Sequence, residues 1–104
     1  MSEIPDNIVC LNIIAGLKQK DSLLEAVTST GGRLVSVEYG RGSAKVNIIQ
    51  DMFGFVPEEK KVMISCLMKK ENSDEMIRIL TDDFGFNNAN TGIAYTIPVE
   101  KLSF

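Results

Sequence analysis

Two successive stretches of the chain carry the same order of hydropathy patterns, and that order narrows the folds open to it. Residues 7–14 are rich in branched side chains, with Val9, Leu11 and Ile13 on one side and Ile8, Cys10 and Ile14 on the other. A strand buried on both faces has this composition. Residues 18–30 then place Leu23, Leu24 and Val27 at helical spacing, with the capping-box pattern Ser22-x-x-Glu25 near the start and Gly31-Gly32 at the end. Residues 33–39 alternate, Val35, Val37 and Tyr39 against Leu34, Ser36 and Glu38, as a half-exposed strand does.

The order returns further on. Residues 61–68 read as a strand with Val62, Ile64, Cys66 and Met68 on one face and Met63 and Leu67 on the other. Asn72 or Ser73 opens a second predicted helix, with Asp74 and Glu75 in its first turn, an inner stripe of Met76, Ile77, Leu80 and Phe84, and Gly85 as the stop. Residues 92–98 supply a last strand through Ile93, Tyr95 and Ile97. Two βαβ halves in one domain spanning residues 1–104 predict an α+β fold, the ferredoxin-like βαββαβ sandwich, with both helices on one face of a four-stranded antiparallel sheet. The first and third strands are apolar on their other face as well, so the sheet is expected to bury that face by self-association.

Composition removes several functional classes. A chain of 104 residues with 44% hydrophobic content builds one core. Eleven basic against fourteen acidic residues, net −3, give no field that would draw nucleic acid. The first residues hold no basic region, and the apolar run of residues 8–17 is interrupted by Asn12 and Gly16 and is too short to span a bilayer. A cytoplasmic protein is expected. With no histidine there is no imidazole acid–base chemistry, and two cysteines do not make a zinc site. Cys10 and Cys66 sit inside apolar runs and read as packing residues, close to each other if those strands pair. Asp82-Asp83 and Glu58-Glu59 have no nucleophile or base partner, so no enzyme is expected. Lys60-Lys61 and Lys69-Lys70 read as strand-end solubilisers, one of which faces a phosphate if it borders a cleft.

Function is therefore sought in the loops. The connector of residues 40–59, about 20 residues, is far longer than a hairpin turn. Within it Ser43 can cap a short helix over residues 43–53, whose stripe of Ile48, Ile49, Met52 and Phe53 either packs on the protein's own assembly or docks on a partner. Gly40-Arg41-Gly42-Ser43 is either a strand-closing turn or an anion cradle of freed amides. The loop that ends in Asn90-Thr91-Gly92 has the same two readings, turn chemistry or polar groups offered to a small ligand.

Three strings carry a family resemblance. Glu38-Tyr39-Gly40-Arg41-Gly42, Phe55-Val56-Pro57-Glu58 with the strand after it, and residues 91–100 from Thr91-Gly92 to Val99-Glu100 resemble the T-loop entry, the T-loop exit, and the B-loop glycine with the last strand of nitrogen regulatory protein P-II. The likeness is closer to that protein's divergent PII-like relatives and covers nearly the whole chain. It implies a signal-transduction protein that works as a homotrimer. On this resemblance a small-molecule effector, of the adenine-nucleotide type, is expected to be held at clefts between subunits by Gly40, Arg41, Gly42, Ser43, Asn90, Thr91 and Gly92. The connector, as T-loop, then controls a target such as a membrane transporter or metabolic enzyme through Ile48, Ile49, Met52 and Phe53. Ser43, Ala44 and Ile93 stand where the family has an arginine, a glutamine and a lysine, and the family's C-terminal arginines are not present by Phe104. ATP is thus expected to bind more weakly than is standard for the family, with Arg33, Arg41, Lys45 or Lys60 as substitute charge. The alternative is a ligand-independent interaction module that docks through the apolar helix of residues 43–53.

Overall fold

The computed structural model describes residues 7–40, 60–88 and 91–101. Strand β1 (Ile8–Gly16) leads through a 3-10 turn (Leu17–Gln19) into helix α1 (Lys20–Ser29) and strand β2 (Arg33–Gly40). Strand β3 (Lys61–Lys69), helix α2 (Lys70–Phe84) and strand β4 (Gly92–Pro98) repeat the order. The strands form one sheet in the order β2-β3-β1-β4, antiparallel throughout. This is the predicted βαββαβ sandwich.

Cross-strand register assigns the two faces. Leu11 opposes Cys66 and Thr96, and Ile13 opposes Ile64 and Ala94, so the odd-numbered residues of β1 and the even-numbered ones of β3 share a face. Val9, Leu11, Ile13, Ala15, Val62, Ile64, Cys66 and Met68 are all buried there, against Leu23 and Val27 of α1 and Met76 and Leu80 of α2. The opposite face holds Cys10, Ile14, Met63, Leu67 and Ile93, and no described element covers it. Ile97 and Tyr95 on this face are 52% and 43% exposed in the single chain. A polar row crosses it: Ser36 opposes Ser65, Ser65 opposes Asn12, and Asn12 opposes Tyr95. The Ser65 hydroxyl donates to Asn12 Oδ1 at 2.6 Å, which is how a residue only 7% exposed keeps its carbonyl satisfied.

Several expectations need correction. The helices start without the side-chain caps foreseen. α1 begins at Lys20 behind the 3-10 turn, so Ser22 lies inside its first turn and the Ser22/Glu25 pattern does not cap it. α2 begins at Lys70 rather than at Asn72 or Ser73. There the Lys70 amide donates to the Asn7 carbonyl at 2.6 Å, which satisfies a helix-start donor from the backbone of the neighbouring strand. Ser73 is buried mid-turn, its hydroxyl donating to the Lys70 carbonyl at 2.7 Å. The buried line of α2 is therefore Ser73, Met76 and Leu80, flanked by Ile79 and Phe84, while Ile77 is rotated outward and exposed. Both helix stops hold, with Gly31 at φ 96° and Gly85 at φ 73°, left-handed positions that glycine occupies without a Cβ penalty. Cys10 faces the open side and Cys66 the helices, so the sheet lies between the two free thiols. Burial pushes the Cys66 thiol up to about 11.

Leu34 departs from its alternating pattern. Arg33 pairs with Leu67 and Ser36 with Ser65, so Leu34 and Val35 together oppose Cys66 in a β-bulge. Leu34 has φ 51° and is 80% exposed. A leucine in that region is strained by about 1–2 kcal/mol. Replacement by glycine therefore leaves stability within about 1 kcal/mol of the parent or raises it. Leu80→Ala, in the core, costs about 2–5 kcal/mol. Urea unfolding of both variants measures the contrast, and equal destabilisation would contradict this account of Leu34.

Candidate functional site

The register that builds the core also gathers the loop ends. Gly40 opposes Lys61, Lys61 opposes Gly16, and Gly92 opposes Ala15. The end of β1, the end of β2, the start of β3 and the start of β4 thus meet at one edge of the sandwich. In the row Gly40–Lys61–Gly16 only the middle residue has a side chain. Lys61 is 5% exposed, which corrects its reading as a solvated strand-end lysine; Lys60, beside it, is exposed. The amide of Leu17 donates to the Lys60 carbonyl at 3.1 Å and ties the 3-10 turn to the far end of the connector.

Two clefts open at this edge. The larger, about 640 Å³, is lined by Gly16, Leu17, Lys18, Gln19, Lys60, Lys61 and Thr91. The smaller, about 500 Å³, is lined by Leu17, Tyr39, Gly40, Lys60 and Lys61. They share Leu17, Lys60 and Lys61, so they form one trough of a size suited to a small-molecule ligand. Lysine ammonium groups, a threonine hydroxyl and glycine backbone suit an anion such as a phosphate or carboxylate. Gly16 leaves room: among the described residues, its own chain neighbours aside, a Cβ added there meets no atom within 4 Å. At the trough's rim, Lys20 Nζ donates to Tyr39 Oη at 3.3 Å and lies 5.7 Å from the ring centroid. This hydrogen bond, with the nearby Asp21 carboxylate, raises the Lys20 ammonium above its ordinary value.

Of the residues expected to bind ligand, Gly40 and Thr91 line the trough. Gly92 starts the adjoining strand, but its glycine has a different explanation: a Cβ there would collide with the Phe86 ring. The Phe86 amide donates to the Leu80 carbonyl at 3.0 Å, and the ring packs against the core, so its close approach to β4 requires a residue without a side chain. Arg41, Gly42, Ser43 and Asn90 lie outside the described residues, as do Ile48, Ile49, Met52, Phe53 and the helix expected over residues 43–53. Gly16, Leu17, Lys18 and Gln19 were not foreseen as lining residues. Their signal is a glycine that ends an apolar strand, followed by a lysine, and it becomes legible only when the register sets it opposite Lys61. Gln19 also reaches across the fold, its Nε2 donating to the Phe84 carbonyl at 3.5 Å. Among the described residues no cluster of acidic, cysteine or histidine side chains could hold a metal, and no helix is long and apolar enough to cross a membrane.

No protein-family model matches the sequence, and no curated protein is significantly similar to it. The fold does have solved counterparts. A PII-like signalling protein from Thermus thermophilus superposes with a TM-score of 0.66 at 17% identity, over 88% of this chain and 86% of that one. The PII-like protein CPII from Thiomonas intermedia, bound to ADP, AMP and acetate, gives 0.66 at 14% identity, over 90% and 89%. The PII protein of Arabidopsis thaliana, bound to citrate, gives 0.62 at 17% identity, over 90% and 78%. The chain thus has the fold of PII-like signalling proteins.

The packing account of Gly92 is separable from a ligand role. Gly92→Ala is expected to destabilise the parent by about 1–3 kcal/mol, the usual cost of overpacking. In a Phe86→Ala background the same change should cost little, because the ring it would strike is gone. Thermal unfolding of the four proteins of this cycle checks it, and a cost independent of Phe86 would refute the packing role.

Proposed function

We propose that this protein is a PII-like regulator, a homotrimer that binds a small anionic effector of the adenine-nucleotide type in the trough and passes its occupancy to a target protein through residues 41–59. The observation that carries the reading is the convergence at one sheet edge of both ends of the connector, Gly40 and Lys60, with Thr91 and the glycine-ended β1. A ligand placed there touches the residues from which the connector departs and to which it returns. Its binding energy can therefore favour one connector conformation over another, by as much as its affinity differs between them. Solved structures with this fold that hold ADP and AMP support the choice of ligand class. The protein's work on this reading is binding and not chemical conversion.

Support for assembly comes from the sheet face that no described element covers, on which Ile97 and Tyr95 are exposed. Both are about half exposed, so association that buried them would contribute roughly 1 kcal/mol for each. Closing three such faces around an axis covers them all while leaving the lysine-lined edges at the perimeter, where further contacts from a neighbouring subunit can complete the site. Light scattering is expected to give three times the 11.5 kDa chain mass. Ile97→Asp should dissociate the assembly, and a parent protein that runs as a monomer at micromolar concentration would remove this part of the proposal.

Calorimetry with ADP and AMP tests the ligand. Each charge-assisted phosphate contact contributes about 1.5–3 kcal/mol, so Lys60→Ala should weaken ADP roughly tenfold or more. Gly16→Val, whose Cβ meets no atom of the described residues beyond its chain neighbours within 4 Å, should abolish binding without loss of thermal stability. Isoleucine at position 93, where the resembled family has a lysine, removes a phosphate partner, so magnesium ATP is expected to bind no more tightly than ADP. Affinity for nucleotide unchanged by both Lys60→Ala and Gly16→Val would place the ligand elsewhere.

A further inference from the structure

An anion alone does not account for the tyrosine in the trough. Tyr39 follows Val35 and Val37 on the helix-facing side of β2; those valines pack against the core, whereas Tyr39 is 64% exposed. Helix α1 begins at Lys20, the residue whose side chain meets this tyrosine. The Lys20 side chain reaches the ring, donating to its hydroxyl and lying near its centroid. A large aromatic surface is thus left beside Leu17, Lys60 and Lys61 in the smaller cleft, with Lys18 and Thr91 further along the same trough.

From this arrangement we infer that Tyr39 is the stacking platform for the base of a nucleotide whose phosphates lie toward Lys18, Lys60 and Thr91. The inference rests on the effector reading above and adds to it the residue that selects for an aromatic base. Leu17, Lys60 and Lys61 are common to both clefts, but the exposed ring of Tyr39 lines the smaller one, and Lys18 and Thr91 line the larger. A phosphorylated ligand with a flat, π-rich head matches both. A dicarboxylate or a bare phosphate makes no use of the ring. Lys20 fixes the ring at its hydroxyl edge, which lowers the entropy a base must overcome to stack on it.

The chain has two tyrosines and no tryptophan, so a Tyr95→Phe background, which keeps the ring of Tyr95, leaves Tyr39 as the only source of intrinsic fluorescence. ADP and AMP, after correction for adenine absorbance, should quench that signal in proportion to calorimetric saturation, while inorganic pyrophosphate should bind without quenching. Tyr39→Ala should weaken ADP and AMP about tenfold, within the range for loss of one base–aromatic stack. Tyr39→Phe should stay within about threefold of the parent, and pyrophosphate affinity should be the same in all three proteins. Circular dichroism confirms that the variants are folded. Nucleotide binding that neither quenches Tyr39 nor weakens in Tyr39→Ala overturns the stacking and leaves the effector reading standing. Absence of nucleotide binding by the parent protein overturns both.

Discussion

The pairing of β1 with β3, with Gly16 set opposite Lys61, is the constraint on which the rest of the molecule depends. β1 is hydrogen-bonded on both sides, to β3 and to β4, and carries apolar residues on both faces. A register slip of one residue would turn Leu11 and Ile13 away from the helices and bring Cys10 and Asn12 into the core. The same register that buries the core also decides which backbone ends meet. Connector, 3-10 turn and the start of β4 adjoin because the strands that bear them are aligned.

The faces of the sheet are stabilised by different means. The helix-facing side is closed by Leu23, Val27, Met76 and Leu80 and needs nothing further. The other side is mixed, an apolar field crossed by Ser36, Ser65, Asn12 and Tyr95. Of this row Asn12 is buried, at 7% exposure, and the Ser65 hydroxyl satisfies its carbonyl.

Much of this was legible in the sequence. Strand limits came close because alternation and the glycine stops are local signals: β4 occupies the predicted residues, and β1 runs two residues further than its apolar pattern, through Ala15 to Gly16. Helix starts were misplaced because sequence reasoning looks for side-chain caps. α2 takes its first hydrogen bond from the Asn7 backbone, a tertiary contact that no nearby residue announces. Ile77 was placed inside because it is apolar; the position its stripe needed was filled by Ser73, whose polarity concealed it. At the site, the glycine strings lead to Gly40 and to the loop of Thr91, both of which line the trough. Gly92 answers to Phe86, however, and register is what brings Lys18 to the cleft and singles out Lys60 and Lys61 among the basic residues that the sequence offers. The approach of Tyr39 to Lys20 depends on where α1 begins and could not be read from the sequence alone.

The bulge at Leu34 has a bearing on solution behaviour. β2 and β4 are the sheet's outer strands among the described residues, and a straight outer strand invites strand-by-strand addition of further copies, a mode of growth with no natural end. At Leu34 and Val35 the spacing of hydrogen-bonding groups along β2 is broken, and a bulky side chain projects at the break. A second chain laid alongside could match the ladder for only a few residues before losing register. Growth into fibrils from this strand is therefore disfavoured.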